Sequence, residues 1–283
     1  VIGANPDNDE NRPNADVSLT PRDAAPARPI RSFVAMGDSF TEGLSDATPD
    51  GRWAGWADRL ADRLAELDPA LTYANIAIRG KLLDQIVDGQ LDTAIALAPD
   101  LVGFSAGGND ILRPGSDPDD VAARYEAAVI RLRGAGAQVL TFTGSDPRGV
   151  PVLQMLRGKI ATFNEHLRLI AAREGCVLVD LWAMPALHDR RAWGADRLHL
   201  SAAGHAQVAL LAAHALGMPV ESDPFAAWPE QAPRSRSQLR RENIAWTREH
   251  LLPWVGRRLR GRSSGDGLSG KRPDLAQWQS KSA

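Results

Sequence analysis

Ser39 sits in the short polar turn Gly37-Asp38-Ser39, directly after the apolar run Phe33-Val34-Ala35-Met36. A serine hydroxyl at such a place is either a cap, a phosphate contact or a nucleophile. As a nucleophile it needs a base, and His199 is an imidazole of suitable intrinsic pKa. Asp196 lies three residues earlier and could reach the second ring nitrogen, fixing the tautomer and stabilising the imidazolium. Acyl transfer also needs donors aimed at an oxyanion. The backbone N–H groups of Ser39 and Gly80 suit this, and the Asn109 side-chain amide offers a third.

These residues are far apart in sequence, so the elements between them decide whether they meet. Strands are expected over Ser32–Met36, Thr72–Ile78, Leu101–Ser105, Gln138–Thr143 and Cys176–Leu181. Helical patterns fill Trp53–Glu66, Leu82–Ala96, Pro118–Arg133, Val152–Glu174 and Ala202–Leu216. Alternating strands and helices predict an α/β fold, a five-stranded, mostly parallel, flavodoxin-like sheet covered on both faces. The runs "LVGFSA" and "QVLTFT" are apolar with little alternation, as strands buried on both sides are. In an open parallel sheet, ligands bind beyond the carboxyl ends of the strands. The segments leaving the strands are Gly37-Asp38-Ser39, Arg79-Gly80, Gly107-Gly108-Asn109-Asp110 and Gly144-Ser145-Asp146, with "WGADRLHLS" before the last helix. They should share one rim.

Four of these blocks together, "GDSF" at 37–40, "NIAIRG" at 75–80, "GGND" at 107–110 and "DRLH" at 196–199, resemble the SGNH, or GDSL-type, hydrolases, a family of serine esterases and lipases. The similarity covers about residues 31–217. It implies a three-layer α/β/α sandwich with Ser39 as nucleophile, Gly80 and Asn109 as oxyanion donors, and Asp196 and His199 as triad partners. Phe40 is a departure, since many members carry leucine there. The nucleophile elbow G-x-S-x-G of the α/β-hydrolases does not fit, because Thr41 stands at its last position.

Each residue also has a plainer reading. Ser39 could be a helix N-cap, and Asn109 could cap the segment after Gly108. Asp196 could be a surface charge beside Arg197. Asp38 and Asp110 are read as turn-holding, and His205 as a packing histidine within the last helix. Trp53 and Trp56, at helical spacing, are read as core, with one of them a candidate pocket wall. Arg79 is a rim charge or a partner for an anionic substrate group. Cys176, the single cysteine, lies in an apolar run and reads as a structural thiol. No H-E-x-x-H or cysteine pair suggests a metal, and no cofactor is implied.

The chain has 283 residues, 43% hydrophobic and 24% charged, as ordinary globular proteins are. Its net charge of −2 divides unevenly: −2 over residues 1–30, −5 over 31–218 and +5 over 219–283. An acidic body argues against nucleic acid as a partner. Residues 1–30 read as a flexible lead, 31–217 as the catalytic domain, 218–262 as a Pro-rich and helical extension packed on the body, and 263–283 as a flexible tail. Nine arginines lie between 234 and 262. They leave contact of the basic end with a membrane or nucleic acid as a secondary reading, behind packing on the body that buries Trp246 and Trp254. No stretch reaches the roughly 20 apolar residues of a membrane span, and the polar start at Val1 does not read as a signal peptide. A cytoplasmic setting is expected; the oligomeric state is not encoded legibly.

The function expected is therefore a serine esterase acting on small or short-chain acyl esters. Acyl transfer, thioester hydrolysis and lysophospholipid hydrolysis would use the same residues. From a different class, a phosphate-binding module of flavodoxin-like fold is disfavoured, because the turn lacks the glycines of a phosphate loop and Asp38 would repel the anion.

Overall fold

The computed structural model describes residues 29–49, 51–148, 150, 153–232, 235–253, 256 and 264–279. The expected lead at 1–30 and Trp254 thus lie almost wholly or wholly outside the described residues.

Apolar residues at consecutive positions of the first strand, β1 (Ser32–Gly37), feed two cores at once. Phe33 and Ala35 join one buried cluster, while Val34 and Met36 join the other. Alternate residues of a strand point to opposite faces, so an unbroken apolar run requires cover on both. That cover comes from helices on each side. On the first face lie α2 (Trp56–Leu67) and α8 (Ala202–Ala215), packed on each other. On the second lie the helical run Leu83–Ala96 (α3 Leu83–Ile86, a π turn, and α4 Asp92–Ala96), α6 (Pro118–Gly134) and α7 (Arg157–Glu174).

The helix ends follow local chemistry. Asp117 caps α6 by accepting the Asp119 N–H, Pro118 stands at its first turn, and Arg131 and Arg133 face its C-terminal dipole. Ser201 caps α8 by accepting the Gly204 N–H.

The remaining strands are β2 (Thr72–Asn75), β3 (Leu101–Ser105), β4 (Gln138–Phe142), β5 (Val177–Val179) and β6 (Arg272–Gln277). The sheet order is β5-β4-β3-β1-β2-β6. Strands β1 to β5 are parallel, the expected flavodoxin-like arrangement in a three-layer fold. Among the described residues the sheet has six strands rather than five. The sixth, β6, is antiparallel to β2 and comes from the segment expected to be a flexible tail. Its sequence, "RPDLAQ", has no alternating apolar pattern, because it is an edge strand held by main-chain bonds. Trp278, just past it, donates from Nε1 to Asp62 and stacks edge-on against Tyr73, 9% exposed.

β2 and β5 are shorter than expected. Ile76 and Ile78 still donate to the carbonyls of Ala35 and Gly37, so the chain stays extended beside β1 as it approaches Gly80. The order reverses between β1 and β3, and the crevice at that switch point is where a ligand fits.

Candidate active site

The turn after β1 is forced by contact with β3. Gly37, opposite Ser105 in the ladder, has φ +146°, and a Cβ there would stand 2.3 Å from the Ser105 carbonyl oxygen. The buried Gln90 amide grips the same residue at both ends, accepting Gly37 N–H (2.8 Å) and donating to Gly37 O (2.9 Å). A short helix, α1 (Ser39–Glu42), starts immediately afterwards. Its cap is Asp38, whose Oδ1 accepts the Phe40 N–H at 3.0 Å. Ser39 is therefore not the cap, and its hydroxyl is left for another partner.

That partner is His199. Its Nε2 lies 3.0 Å from Ser39 Oγ, and its Nδ1 lies 2.6 Å from Asp196 Oδ2. Asp196 uses its other oxygen to accept the N–H groups of Leu198 and His199, both at 3.0 Å. Burial pushes the Asp196 carboxyl up, but the hydrogen bond and charge of His199 and these two N–H groups outweigh it, holding it down at about 2. The loop is closed at its base by Gly194 N–H to His199 O (2.8 Å) and Ser201 N–H to Ala192 O (2.9 Å). Arg190 ties the Trp193 and Gly194 carbonyls beneath it.

Asn109 lies on α5 (Gly108–Ile111), after β3, a helix whose N-cap is Gly107. Its Nδ2 donates to Asp38 Oδ2 (3.0 Å) and to the Lys81 carbonyl (3.1 Å). Asp38 thus holds both the Ser39 turn and the Asn109 amide, and burial pushes its carboxyl up to about 6. Asp110 turns away to accept the Leu83 N–H at 2.9 Å.

Ser39, Asn109 and His199 line one cavity of about 420 Å3. Its walls are mostly apolar, with Phe40, Ile111, Phe142, Leu153, Ile160 and Phe163 among them. Gly80 does not line this cavity. It follows Arg79, which is fastened to the Ser39 helix through Glu42: Arg79 N–H and Nε donate to Glu42 Oε2 at 2.8 and 3.0 Å, and Nη2 pairs with Oε1. Arg79 is thereby a structural partner rather than a bare rim charge.

Other expected residues also find definite places. His205 Nδ1 accepts the Trp56 N–H at 3.2 Å, and burial lowers its pKa to about 4, so it is a neutral packing histidine. Trp56 is fully buried in the core, and Trp53 stacks under Arg79; neither lines the cavity. Phe40 does, stacking on Trp56 at 5.7 Å and edge-on to Phe142 at 5.4 Å. Cys176 packs against the second core, and burial raises its thiol to about 11. Among the described residues, no three His, Cys, Asp or Glu side chains gather to hold a metal. No described helix is long and apolar enough to cross a membrane.

Sequence reasoning missed Gln90 and Glu42, and for Trp246 it anticipated burial against the body but not the bond to the Asp196 loop. Trp246 ends α9 (Arg236–Trp246), is 8% exposed, and donates to the Asp196 carbonyl. Only Glu42, adjoining the first block, stood where a signal could have been sought.

The family model for GDSL-like lipases and acylhydrolases matches residues 35–207. The chain belongs to this family. It is accordingly a carboxylic ester hydrolase. Solved structures of similar fold include TesA, 25% identical with a TM-score of 0.54, covering 65% of this chain and 97% of that one. Others are Axe2, an acetylxylan esterase of Geobacillus stearothermophilus (19%, TM-score 0.54, covering 68% and 97%), and LAE5, an α/β hydrolase enzyme from the metagenome of Lake Arreo, Spain (22%, TM-score 0.55, covering 66% and 95%). No curated protein matches the sequence significantly. This GDSL-family chain carries its first and last blocks within the matched region and extends well beyond it at the C-terminus.

Proposed function

We propose that this GDSL-family hydrolase cleaves acyl esters through an acyl-enzyme on Ser39. The observation that carries the reading is the position of His199, with one ring nitrogen on Ser39 Oγ and the other on Asp196. With Nδ1 protonated and donating to Asp196, Nε2 accepts the Ser39 proton as Oγ attacks the ester carbonyl. The oxyanion so formed draws on Ser39 N–H, Gly80 N–H and the Asn109 amide. The imidazolium then protonates the departing alcohol. Water, deprotonated by His199, releases the acid and restores Ser39. Asn109 enters this scheme with both amide hydrogens engaged, so it serves the oxyanion by sharing or exchanging the Lys81 carbonyl.

The cavity supports a more specific substrate. Its volume of about 420 Å3 falls in the range of small-ligand sites. That space and its largely apolar lining suit an acyl chain of several carbons. The apolar walls favour that over the smallest of the acyl groups expected from the sequence. The test is fluorophosphonate labelling with turnover of an aryl-ester series. Wild type should label at Ser39 and favour mid-length chains, and Ser39→Ala should do neither; an active, labelled Ser39→Ala protein would refute the reading.

A further inference from the structure

The family match ends at residue 207, yet the chain returns to the site from outside that region. Residues 264–279 run along the free edge of β2 and the extended stretch that follows it. In the ladder Arg272 stands opposite Asn75 and Ala276 opposite Tyr73. Ahead of the strand the contact is closer still. A Cβ on Gly270 would stand 2.6 Å from Ile76 Cα, and one on Gly265 would stand 2.0 Å from the Arg79 carbonyl oxygen. The segment therefore lies directly against the chain that carries Gly80.

Between these glycines and β6 stands Lys271. Its side chain is 18% exposed, and its ammonium group is surrounded by acceptors. Its three N–H groups are shared among the carbonyls of Glu42 (2.7 Å), Ala54 (2.8 Å) and Trp53 (3.0 Å) and Asp58 Oδ2 (2.5 Å). Glu42 ends the four-residue helix that Ser39 begins, and its carboxylate holds Arg79, the neighbour of Gly80. One cation thus fixes the far end of the Ser39 helix to the start of α2, while its own segment presses on the Gly80 loop. Burying an ammonium costs more than packing an apolar side chain of the same length. The buried Asp58 carboxylate gives the charge its counter-ion, and the three carbonyls around Nζ make the pair a junction between the Ser39 helix and α2.

We propose that Lys271 is a positioning residue of the ester-hydrolysing site. With the close-packed glycines Gly265 and Gly270, it sets the Ser39 helix against the Arg79–Gly80 loop, so nucleophile and oxyanion donors are aligned by a segment outside the family domain. This rests on the reading of Ser39 as nucleophile and Gly80 as oxyanion donor. A misplacement near 1 Å at a reacting centre costs up to about a hundredfold in rate, without any loss of the catalytic groups themselves.

The experiment compares full-length wild type with Lys271→Met, Gly265→Ala, Ser269→Ala and Ser39→Ala. Each is assayed for kcat and KM on an aryl ester and for the rate of fluorophosphonate labelling, normalised to folded protein by circular dichroism. Lys271→Met and Gly265→Ala should lose about ten- to a hundredfold in kcat and in labelling rate, with KM within about twofold. Ser269→Ala, exposed in the same segment, should match wild type. Gly265→Ala keeps Lys271 and decides the matter if Lys271→Met does not fold. Wild-type kcat in the folded variants, or a deficit that vanishes on normalisation, overturns the positioning role while labelling at Ser39 still upholds the underlying reading. Labelling elsewhere, or activity in Ser39→Ala, would sink that reading itself.

Discussion

The Trp246 indole Nε1 donates a 2.7 Å hydrogen bond to the Asp196 carbonyl, and the Arg197 guanidinium sits 5.1 Å from its ring centroid. A residue 50 positions downstream therefore props the loop that holds Asp196 and His199. Arg197 itself has φ +56°, an unusual conformation for a side chain of its size, and its Nη1 is anchored 2.5 Å from Asn243 Oδ1. Trp246→Phe keeps most of the packing and removes only the donor. Its kcat should fall several-fold with KM little changed, as steady-state kinetics on an aryl ester would reveal. Unchanged kcat would mean the loop holds itself.

Asp196→Asn should cost far more. On the proposed mechanism it removes the charge that stabilises the imidazolium and turns an acceptor into an amide that can favour the wrong tautomer. The expected loss in kcat is about a hundredfold or more. Fluorophosphonate labelling should slow in parallel, while near-UV circular dichroism stays that of wild type.

Asp38 should impose a pH dependence on stability. Its carboxyl rises from an ordinary 3.8 to about 6 in the folded protein. The native state therefore holds this proton more tightly than the unfolded chain. That contribution is fully present below about 3.8 and is lost as pH rises through about 6, worth at most about 3 kcal/mol. Asp38→Asn removes it, so the variant should gain stability relative to wild type as pH rises through that window. Melting temperatures measured side by side test the sign. Asp196 works oppositely: its carboxyl is depressed to about 2, so its stabilisation is present above 3.8 and is lost on acidification.

The cavity wall should set chain length. Leu153 lines it from a short helical turn and is only half-buried, so a larger side chain fits there without disturbing the core. Leu153→Trp should shorten the preferred acyl chain, lowering kcat/KM for longer aryl esters and sparing the shortest. A uniform loss at every length would argue that the acyl group lies elsewhere.

The order of strands and helices was legible because β1, β3 and β4 are continuous apolar runs separated by helix-patterned stretches long enough for parallel crossovers. Ser39, Asn109, Asp196 and His199 could be nominated because each stands beside a strand end or a helix start, where an open α/β sheet collects its ligands. Pattern carries this much because burial on two faces and the polarity of strand ends both leave traces in local sequence. β6 left none. An edge strand needs only main-chain donors and acceptors, and these carry no side-chain signature.

What only the tertiary structure decided is which groups hold the nominated residues in place. Gln90 grips Gly37 across 53 residues, Asp38 joins Ser39's turn to Asn109 across 71, and Lys271 reaches Glu42 across 229. The size and apolar lining of the cavity belong to the same class, since Phe40, Leu153 and Phe163 meet only when three separate elements pack. Sequence fixes the chemical types and the strand ends at which they emerge. Long-range hydrogen bonds to main-chain atoms have no sequence partner to pattern against, so their placement is settled only once the chain has folded.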